Sequence, residues 1–151
     1  MNREERLIEK YVKMSQFEDE ARSSGFVRIA GIDEAGRGPL AGPGVAAACI
    51  LPDDYMILGL DDSKKLSAQK REVLFEDIIL HAISFSMVRI EPSIIDQINV
   101  LEATKKAMIQ CVSDLHITPD IVLVDAVDLK QIPMPCKPII KGDALSNSIA
   151  A

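Results

Sequence analysis

The feature that most constrains the fold is an apolar run, residues 27–32, that ends in two adjacent carboxylates, Asp33 and Glu34. A glycine-rich stretch follows at once, and residues 34–44 hold four of the chain's eight glycines. Such a run predicts a strand that leaves the sheet at a binding loop, because glycine lets backbone N–H groups approach a ligand closely. Arg37 adds a planar donor suited to phosphate. The segment therefore predicts a strand end that binds a metal ion and a phosphate.

Apolar strand-like runs and helical patterns alternate along the whole chain, which predicts an α/β fold with a mixed sheet and flanking helices. The predicted strands cover residues 27–33, 45–51, 83–90, 121–124 and 139–140. The predicted helices cover residues 3–22, 67–81, 92–98 and 100–115, and a further helix starts at 144. Ser67 and Asn99 are the predicted N-caps of the second and fourth helices. The second helix should turn one apolar face to the core, made of Val73, Leu74, Ile78 and Ile79.

Composition indicates one globular domain with its own core, since 48% of the 151 residues are hydrophobic and 26% are charged. No apolar run reaches the ~18 residues that a membrane span needs. The N-terminus is charged and unlike a signal peptide, so we expect a cytoplasmic protein without membrane association. Cys49, Cys111 and Cys136 are widely spaced. They predict buried thiols rather than a zinc site or a disulfide framework.

The net charge of −6 argues at first against a nucleic-acid-binding protein, which usually presents a basic surface. That argument weakens if the acids gather around cations, because bound divalent ions invert the local charge. The distribution of the acids is therefore more informative than their number.

Four acids share a position in the predicted fold, at or just after the end of a strand. They are Asp33, Glu34, Asp125 and Asp143. Strands of one sheet bring such ends to one edge, where ligands of α/β proteins commonly bind. Carboxylates a few ångströms apart repel one another, and oxygen-ligated Mg²⁺ or Mn²⁺ removes that repulsion. Two such ions ~3.5–4 Å apart can hold a phosphodiester and activate water. The alternative for each acid is a solvated turn residue.

Basic residues lie beside these acids in sequence and predict phosphate contacts. They are Arg37, Lys64, Lys65 and Lys141. For Lys65 an ordinary solvated charge is an equal alternative. A second group on predicted helices, Lys70, Arg71, Lys105 and Lys106, is assigned to plain surface charge.

Together these segments resemble ribonuclease HII, the type 2 ribonuclease H family. The matching segments stand in the family's order at residues 31–43, 62–67, 99–100 with 103–104, 122–125, and 141–143 running into 146–151. The resemblance implies a ribonuclease H-like fold with a mixed central sheet flanked by helices. It implies an endonuclease that hydrolyses the RNA strand of RNA–DNA hybrids and cuts 5′ of single ribonucleotides embedded in duplex DNA. Two divalent ions, Mg²⁺ or Mn²⁺, are the implied cofactors.

The resemblance also assigns roles to individual residues. The implied metal ligands and catalytic carboxylates are Asp33, Glu34, Asp125 and Asp143, with Asp33 the best candidate to bridge both ions. The implied substrate-binding residues are Gly36, Arg37 and Gly38, which read the 2′-hydroxyl at an RNA–DNA junction, and Ser63, Lys64 and Lys141 near the phosphates. This fits the chemistry, because at one nucleotide only the 2′-hydroxyl distinguishes RNA from DNA.

The resemblance divides the chain into an N-terminal helical extension, residues 1–25, and a catalytic domain, residues 26–151, that lacks the family's C-terminal helices. A family tyrosine that stacks on the junction sugar belongs to those helices, and neither Tyr11 nor Tyr55 matches it. We therefore expect a C-terminally truncated chain, and a monomer for the longer protein.

Two other functions remain open at this point. The first is a truncated, non-catalytic fragment that binds metal and nucleic acid. The second is a Mg²⁺-dependent phosphatase with Asp33 as nucleophile, which leaves Gly36, Arg37 and Gly38 unexplained.

Overall fold

The computed structural model describes residues 1–35, 44–61, 66–91, 99–125, 127–140, 142 and 146–151. The described strands are β1 Ile29–Ala35, β2 Gly44–Ile50, β3 Ser84–Ile90, β4 Ile121–Asp125 and β5 Cys136–Ile139. They form one sheet in the order β3-β2-β1-β4-β5. β2 pairs antiparallel with both β1 and β3, whereas β4 pairs parallel with β1 and β5. The predicted mixed sheet is confirmed.

Five helices lie within the described residues: α1 Arg3–Lys13, α2 Gln16–Ser23, α3 Ala68–His81, α4 Val100–Asp114 and α5 Asn147–Ala150. Both predicted caps are present. Ser67 Oγ accepts the Lys70 N–H at 3.2 Å, and Asn99 Oδ1 accepts the Glu102 N–H at 2.9 Å. The helix predicted for 3–22 is instead two helices, because α1 ends at a cap at Met14. The helix predicted for 92–98 lies outside the described residues.

Helices cover both faces of the sheet. α4 packs on one face, where Met108 and Cys111 meet Ile32 of β1 and Val124 of β4 in the main core. On the other face, α2 and α5 meet β1 and β4 through Ala21, Ile149 and Leu123. Successive residues of a strand point to opposite faces, so the even-numbered residues of β1 face α4 and the odd-numbered ones face α5.

The buried apolar face of α3 is narrower than the sequence predicts. Leu74 and Ile78 are buried against Leu51, Ile57 and Leu60. Val73 and Ile79, which were predicted to share that face, are 62% and 42% exposed. The prediction was wrong for these two residues, because the segment beneath α3 contacts only one stripe of the helix.

All three cysteines lie within the described residues and are free thiols, as predicted. Cys49 and Cys111 are buried as predicted, whereas Cys136 is only half-buried. Burial raises the pKa of the Cys49 thiol to about 12 and that of Cys111 to about 11. Such thiols stay protonated near neutral pH and behave as small apolar side chains. Among the described helices, none has the length and apolar character needed to cross a bilayer.

Candidate metal-binding site

The register of β1 and β4 brings Asp33 and Asp125 together. The parallel pairing runs from Ile29 opposite Ile121 to Ile32 opposite Val124. Asp33 and Asp125 each follow that last pair by one residue, where the parallel pairing ends. Asp125 is the last residue of β4, whereas β1 continues to Ala35. By strand alternation both belong to the face that carries α5. Both side chains are half-buried, so the two carboxylates are neighbours at a partly covered edge of the sheet.

Backbone N–H groups hold both carboxylates. Asp33 Oδ1 accepts the N–H of Glu34 at 2.8 Å, and Asp125 Oδ1 accepts the N–H of Gly142 at 3.0 Å. Hydrogen bonds of this kind fix the rotation of a carboxylate and orient it toward a ligand. The bond to Asp125 places Gly142, which comes directly before Asp143 in sequence, at the same edge.

Glu34 occupies a different place from the two aspartates. It pairs with Ala46 of β2, and alternation along β1 assigns it to the face that carries α4. Among the described residues no three His, Cys, Asp or Glu side chains gather closely enough to hold an ion. Asp143 lies outside those residues, so the set of four carboxylate ligands stays a prediction.

The donors that meet at this edge fit a hard divalent cation. Asp33 and Asp125 offer carboxylate oxygens, which Mg²⁺ and Mn²⁺ prefer over nitrogen and sulfur ligands. Half-buried carboxylates on neighbouring strands repel each other, and a cation bound between them removes that cost. The residues present are therefore compatible with the implied metal.

The predicted substrate-binding residues lie outside the described part of the chain. They are Gly36, Arg37, Gly38, Ser63, Lys64 and Lys141. The described strands nevertheless fix where the glycine-rich loop starts and ends. Ala35 at the end of β1 pairs with Val45 near the start of β2, two residues beyond Asp33. The loop therefore leaves and re-enters the sheet beside the candidate metal-binding edge.

Sequence reasoning missed a contact beneath this edge. α5 lies so close to β1 that a Cβ on Gly31 would overlap the Ser148 carbonyl group and the Ile149 nitrogen. The first turn of α5 is bonded to Glu18 of α2, which is only 3% exposed. One signal was present in the sequence: Glu18 stands at helical spacing between Met14 and Ala21, an acid on a stripe that is otherwise apolar.

The mixed sheet has the strand order β3-β2-β1-β4-β5, with Asp33 and Asp125 where the parallel pairing of β1 and β4 ends. This arrangement is that of a ribonuclease H-like fold. Solved structures agree. Ribonuclease H2 from Pyrococcus horikoshii OT3 superposes with a TM-score of 0.71 at 26% identity, over 82% of this chain and 67% of that one. The ribonuclease HII of a PCNA complex from Archaeoglobus fulgidus gives 0.68 at 29% identity, over 82% and 68%. The predicted fold is confirmed.

The family follows from sequence comparison. Residues 30–151 match the family model described as Ribonuclease HII. The ribonuclease HII of Ruminiclostridium cellulolyticum strain H10 is 52% identical over 150 residues, which is 99% of this chain and 59% of that protein. The chain belongs to the ribonuclease HII family, as its motifs predicted, and it spans 59% of that relative's length.

Proposed function

We propose that this chain provides the metal-binding core of an endoribonuclease. The enzyme hydrolyses the RNA strand of RNA–DNA hybrids and cuts 5′ of single ribonucleotides in duplex DNA. The observation that carries this proposal is that Asp33 and Asp125 lie on one face of the sheet, where the parallel pairing of β1 and β4 ends, in a chain of this family. Family membership also favours a nuclease over the phosphatase alternative.

The proposed metal ligands are Asp33, Glu34, Asp125 and Asp143. Two divalent ions, when bound, supply an activated water and neutralise charge on the attacking and leaving oxygens. The chain's own contribution is to fix its carboxylates through the N–H groups of Glu34 and Gly142. The position of Glu34 on the other face of β1 supports a division of ligands in which Asp33 and Asp125 act together.

The proposed substrate contacts come from the loops at this edge. Gly36, Arg37 and Gly38 would read the 2′-hydroxyl, because a loop without Cβ atoms can place backbone groups against the ribose. Ser63, Lys64 and Lys141 would bind backbone phosphates and set the register of the duplex. The pairing of Ala35 with Val45 supports the first of these roles, since it anchors both ends of the glycine-rich loop beside Asp33.

A cleavage assay tests the proposal. The substrate is duplex DNA with one ribonucleotide, compared with an all-DNA duplex, in Mg²⁺ or Mn²⁺ and again after chelation with EDTA. We expect one cut, 5′ of the ribonucleotide, that leaves a 3′-hydroxyl and a 5′-phosphate and requires the metal. The assay is run on the 151-residue chain and on a version extended to the length of its relatives.

The second candidate, a domain that binds metal and nucleic acid without turnover, is motivated by the 59% span. Cleavage by the extended protein but not by the 151-residue chain supports it for this chain. Absence of cleavage by both proteins contradicts the nuclease proposal.

A further inference from the structure

A buried acid joins the N-terminal helices to the sheet. Glu18 of α2 is 3% exposed. Its Oε1 accepts hydrogen bonds from the Ser146 hydroxyl and, at 3.1 Å, from the Ser148 N–H. Its Oε2 has no hydrogen-bond partner within the described part of the chain. A carboxylate is costly to bury, and this one satisfies one oxygen entirely through the turn that begins α5.

The same turn is held a second time, by the junction between α1 and α2. The Asn147 N–H donates to the Met14 carbonyl at 2.9 Å. Its side-chain amide donates to the Tyr11 carbonyl at 2.7 Å and to Ser15 Oγ at 2.8 Å. Asn147 is itself 2% exposed. Residues 146–148 are thus hydrogen-bonded to α1, α2 and the junction between them through both backbone and side-chain groups.

From this turn, a short series of contacts leads to the candidate metal ligands. The Ser146 N–H donates to the Gly142 carbonyl at 2.8 Å, and the Gly142 N–H donates to Asp125 Oδ1 at 3.0 Å. Asp143 lies in sequence between these two anchored residues. On the other side of the turn, the Ser148 backbone lies against Gly31, two residues before Asp33.

Close packing leaves little room for this linkage to shift. A Cβ on Gly142 would come within 2.5 Å of Ile149 Cδ1 and 3.5 Å of Asp125 Cα. A displacement of residues 146–148 would therefore shift both Asp125 and β1, because tightly packed backbone segments transmit small movements.

We propose that Glu18 is a positioning residue for the metal-binding edge. By fixing residues 146–148, it sets the position of Gly142 and, through the Gly142 N–H, the orientation of Asp125. This inference rests on the proposed function, because it takes that edge to be the metal site. It gives the N-terminal helices a role in metal binding although they carry no candidate ligand.

The test compares four variants with the wild-type chain: Glu18→Ala, Glu18→Asp, Glu18→Gln and Glu20→Ala. Mn²⁺ binding is measured by calorimetry and by electron paramagnetic resonance, and thermal unfolding is followed on the same samples. Cleavage is measured against Mn²⁺ concentration and, separately, against substrate concentration, on the 151-residue chain and on the extended protein.

We expect Glu18→Ala to weaken Mn²⁺ binding about 10–100-fold, as loss of residues that orient metal ligands typically does. The Mn²⁺ concentration for half-maximal cleavage should rise in parallel, with little change in KM for the duplex. Glu18→Gln should bind Mn²⁺ nearly as the wild type, because its amide oxygen can accept the same two hydrogen bonds. Glu18→Asp keeps the charge, but its shorter side chain moves the carboxylate away from Ser146 and Ser148. We expect it to weaken Mn²⁺ binding as Glu18→Ala does, so it replaces the alanine variant if that variant does not fold.

Glu20→Ala is the matched control. Glu20 lies on the same helix, is exposed, and pairs with Lys137 at 3.3 Å rather than with the turn. Its replacement should leave Mn²⁺ binding unchanged.

The outcomes separate this inference from the proposed function. A Glu18→Ala or Glu18→Asp variant that melts earlier yet binds Mn²⁺ like the wild type shows a purely structural role and overturns the inference. If the wild type binds Mn²⁺ but neither length of chain cleaves, the nuclease proposal fails while the binding comparison still decides the role of Glu18. If the wild type binds no Mn²⁺, both fail.

Discussion

The two halves of the sheet are built differently. β4, in the parallel half, is buried from Ile121 to Val124 and reaches a half-exposed position only at Asp125. β3, in the antiparallel half, alternates between buried and exposed residues, and Phe85 and Met87 are 39% and 54% exposed. A charged residue at the edge of β3 is ordinary, because that strand already faces water. An acid at the end of a strand that is covered on both faces is less expected, and this contrast supports the proposal that Asp125 and its neighbour Asp33 bind metal.

The largest effect is expected when an acid of the parallel half of the sheet is replaced, compared with an acid of the antiparallel half. Asp33→Asn should reduce cleavage by about 10³-fold or more, because a bound metal supplies several kcal/mol of transition-state stabilisation. The unfolding free energy should change by less than about 1 kcal/mol, since the amide keeps the shape of the side chain. Glu91→Gln, just after β3, should leave cleavage unchanged. Single-turnover kinetics measures the cleavage rate and urea unfolding measures the unfolding free energy. Equal losses of cleavage in Asp33→Asn and Glu91→Gln would contradict a special role for Asp33.

The next comparison concerns packing. Leu123 of β4 is fully buried, so Leu123→Ala should lower the unfolding free energy by about 2–5 kcal/mol. Met87→Ala in β3 should change it by no more than about 0.5 kcal/mol. Urea denaturation monitored by circular dichroism provides both values. A large loss at Met87 would mean that a further surface covers β3 in solution.

A third comparison uses two glycines. Gly31→Ala places a methyl group against the backbone of α5, and we expect a loss of about 1–3 kcal/mol together with weaker Mn²⁺ binding. Gly59 has φ of +100° and open space around it apart from Leu74 Cδ2 at 3.7 Å. Gly59→Ala should therefore cost stability, about 1–2 kcal/mol, through backbone strain alone. Calorimetric Mn²⁺ titration distinguishes the two variants, and unchanged binding in Gly31→Ala would contradict the role given to α5.

The smallest effect appears only at alkaline pH and tests how tightly the antiparallel half is closed. The pKa of the Cys49 thiol rises from 9.0 to about 12 on burial. Between these values the unfolded chain loses its thiol proton and the folded chain keeps it, so stability should fall as the pH rises above about 9. The contribution of this thiol is at most about 1.4 kcal/mol per pH unit. Cys49→Ala should make the pH dependence of urea unfolding shallower by up to that amount, and an unaltered slope would mean that Cys49 is accessible to water.

The sequence predicted what depends on local pattern and on recognisable motifs. Ser67 and Asn99 cap their helices as predicted, and the run from Ile121 to Asp125 forms the expected buried strand. The register of β1 and β4 places Asp33 beside Asp125, as the rule that strand ends share an edge predicts, while the shared site of all four acids stays a prediction. What could not be predicted depends on which surfaces touch. Val73 was predicted to share the apolar face of α3 with Leu74, yet Leu74 is buried and Val73 is exposed.

Glu18 shows the same limit from the other direction. Its place on an otherwise apolar stripe marks Glu18 as unusual, but the stripe does not say what the carboxylate contacts. The packing of α2 against the first turn of α5 makes Glu18 a buried acceptor, and that packing joins segments far apart in the chain. No local pattern encodes such a contact.

That distance along the chain also bears on folding order. The bond between Ser148 and Glu18 spans 130 residues of sequence, and contacts between distant segments form late because the intervening chain must first be closed into a loop. During synthesis from the N-terminus, α1 and α2 therefore emerge long before the turn that completes them. Until that contact forms, Glu18 is exposed to water and interrupts the apolar stripe of α2. A charge in this place lowers the tendency of an unpacked helix to aggregate.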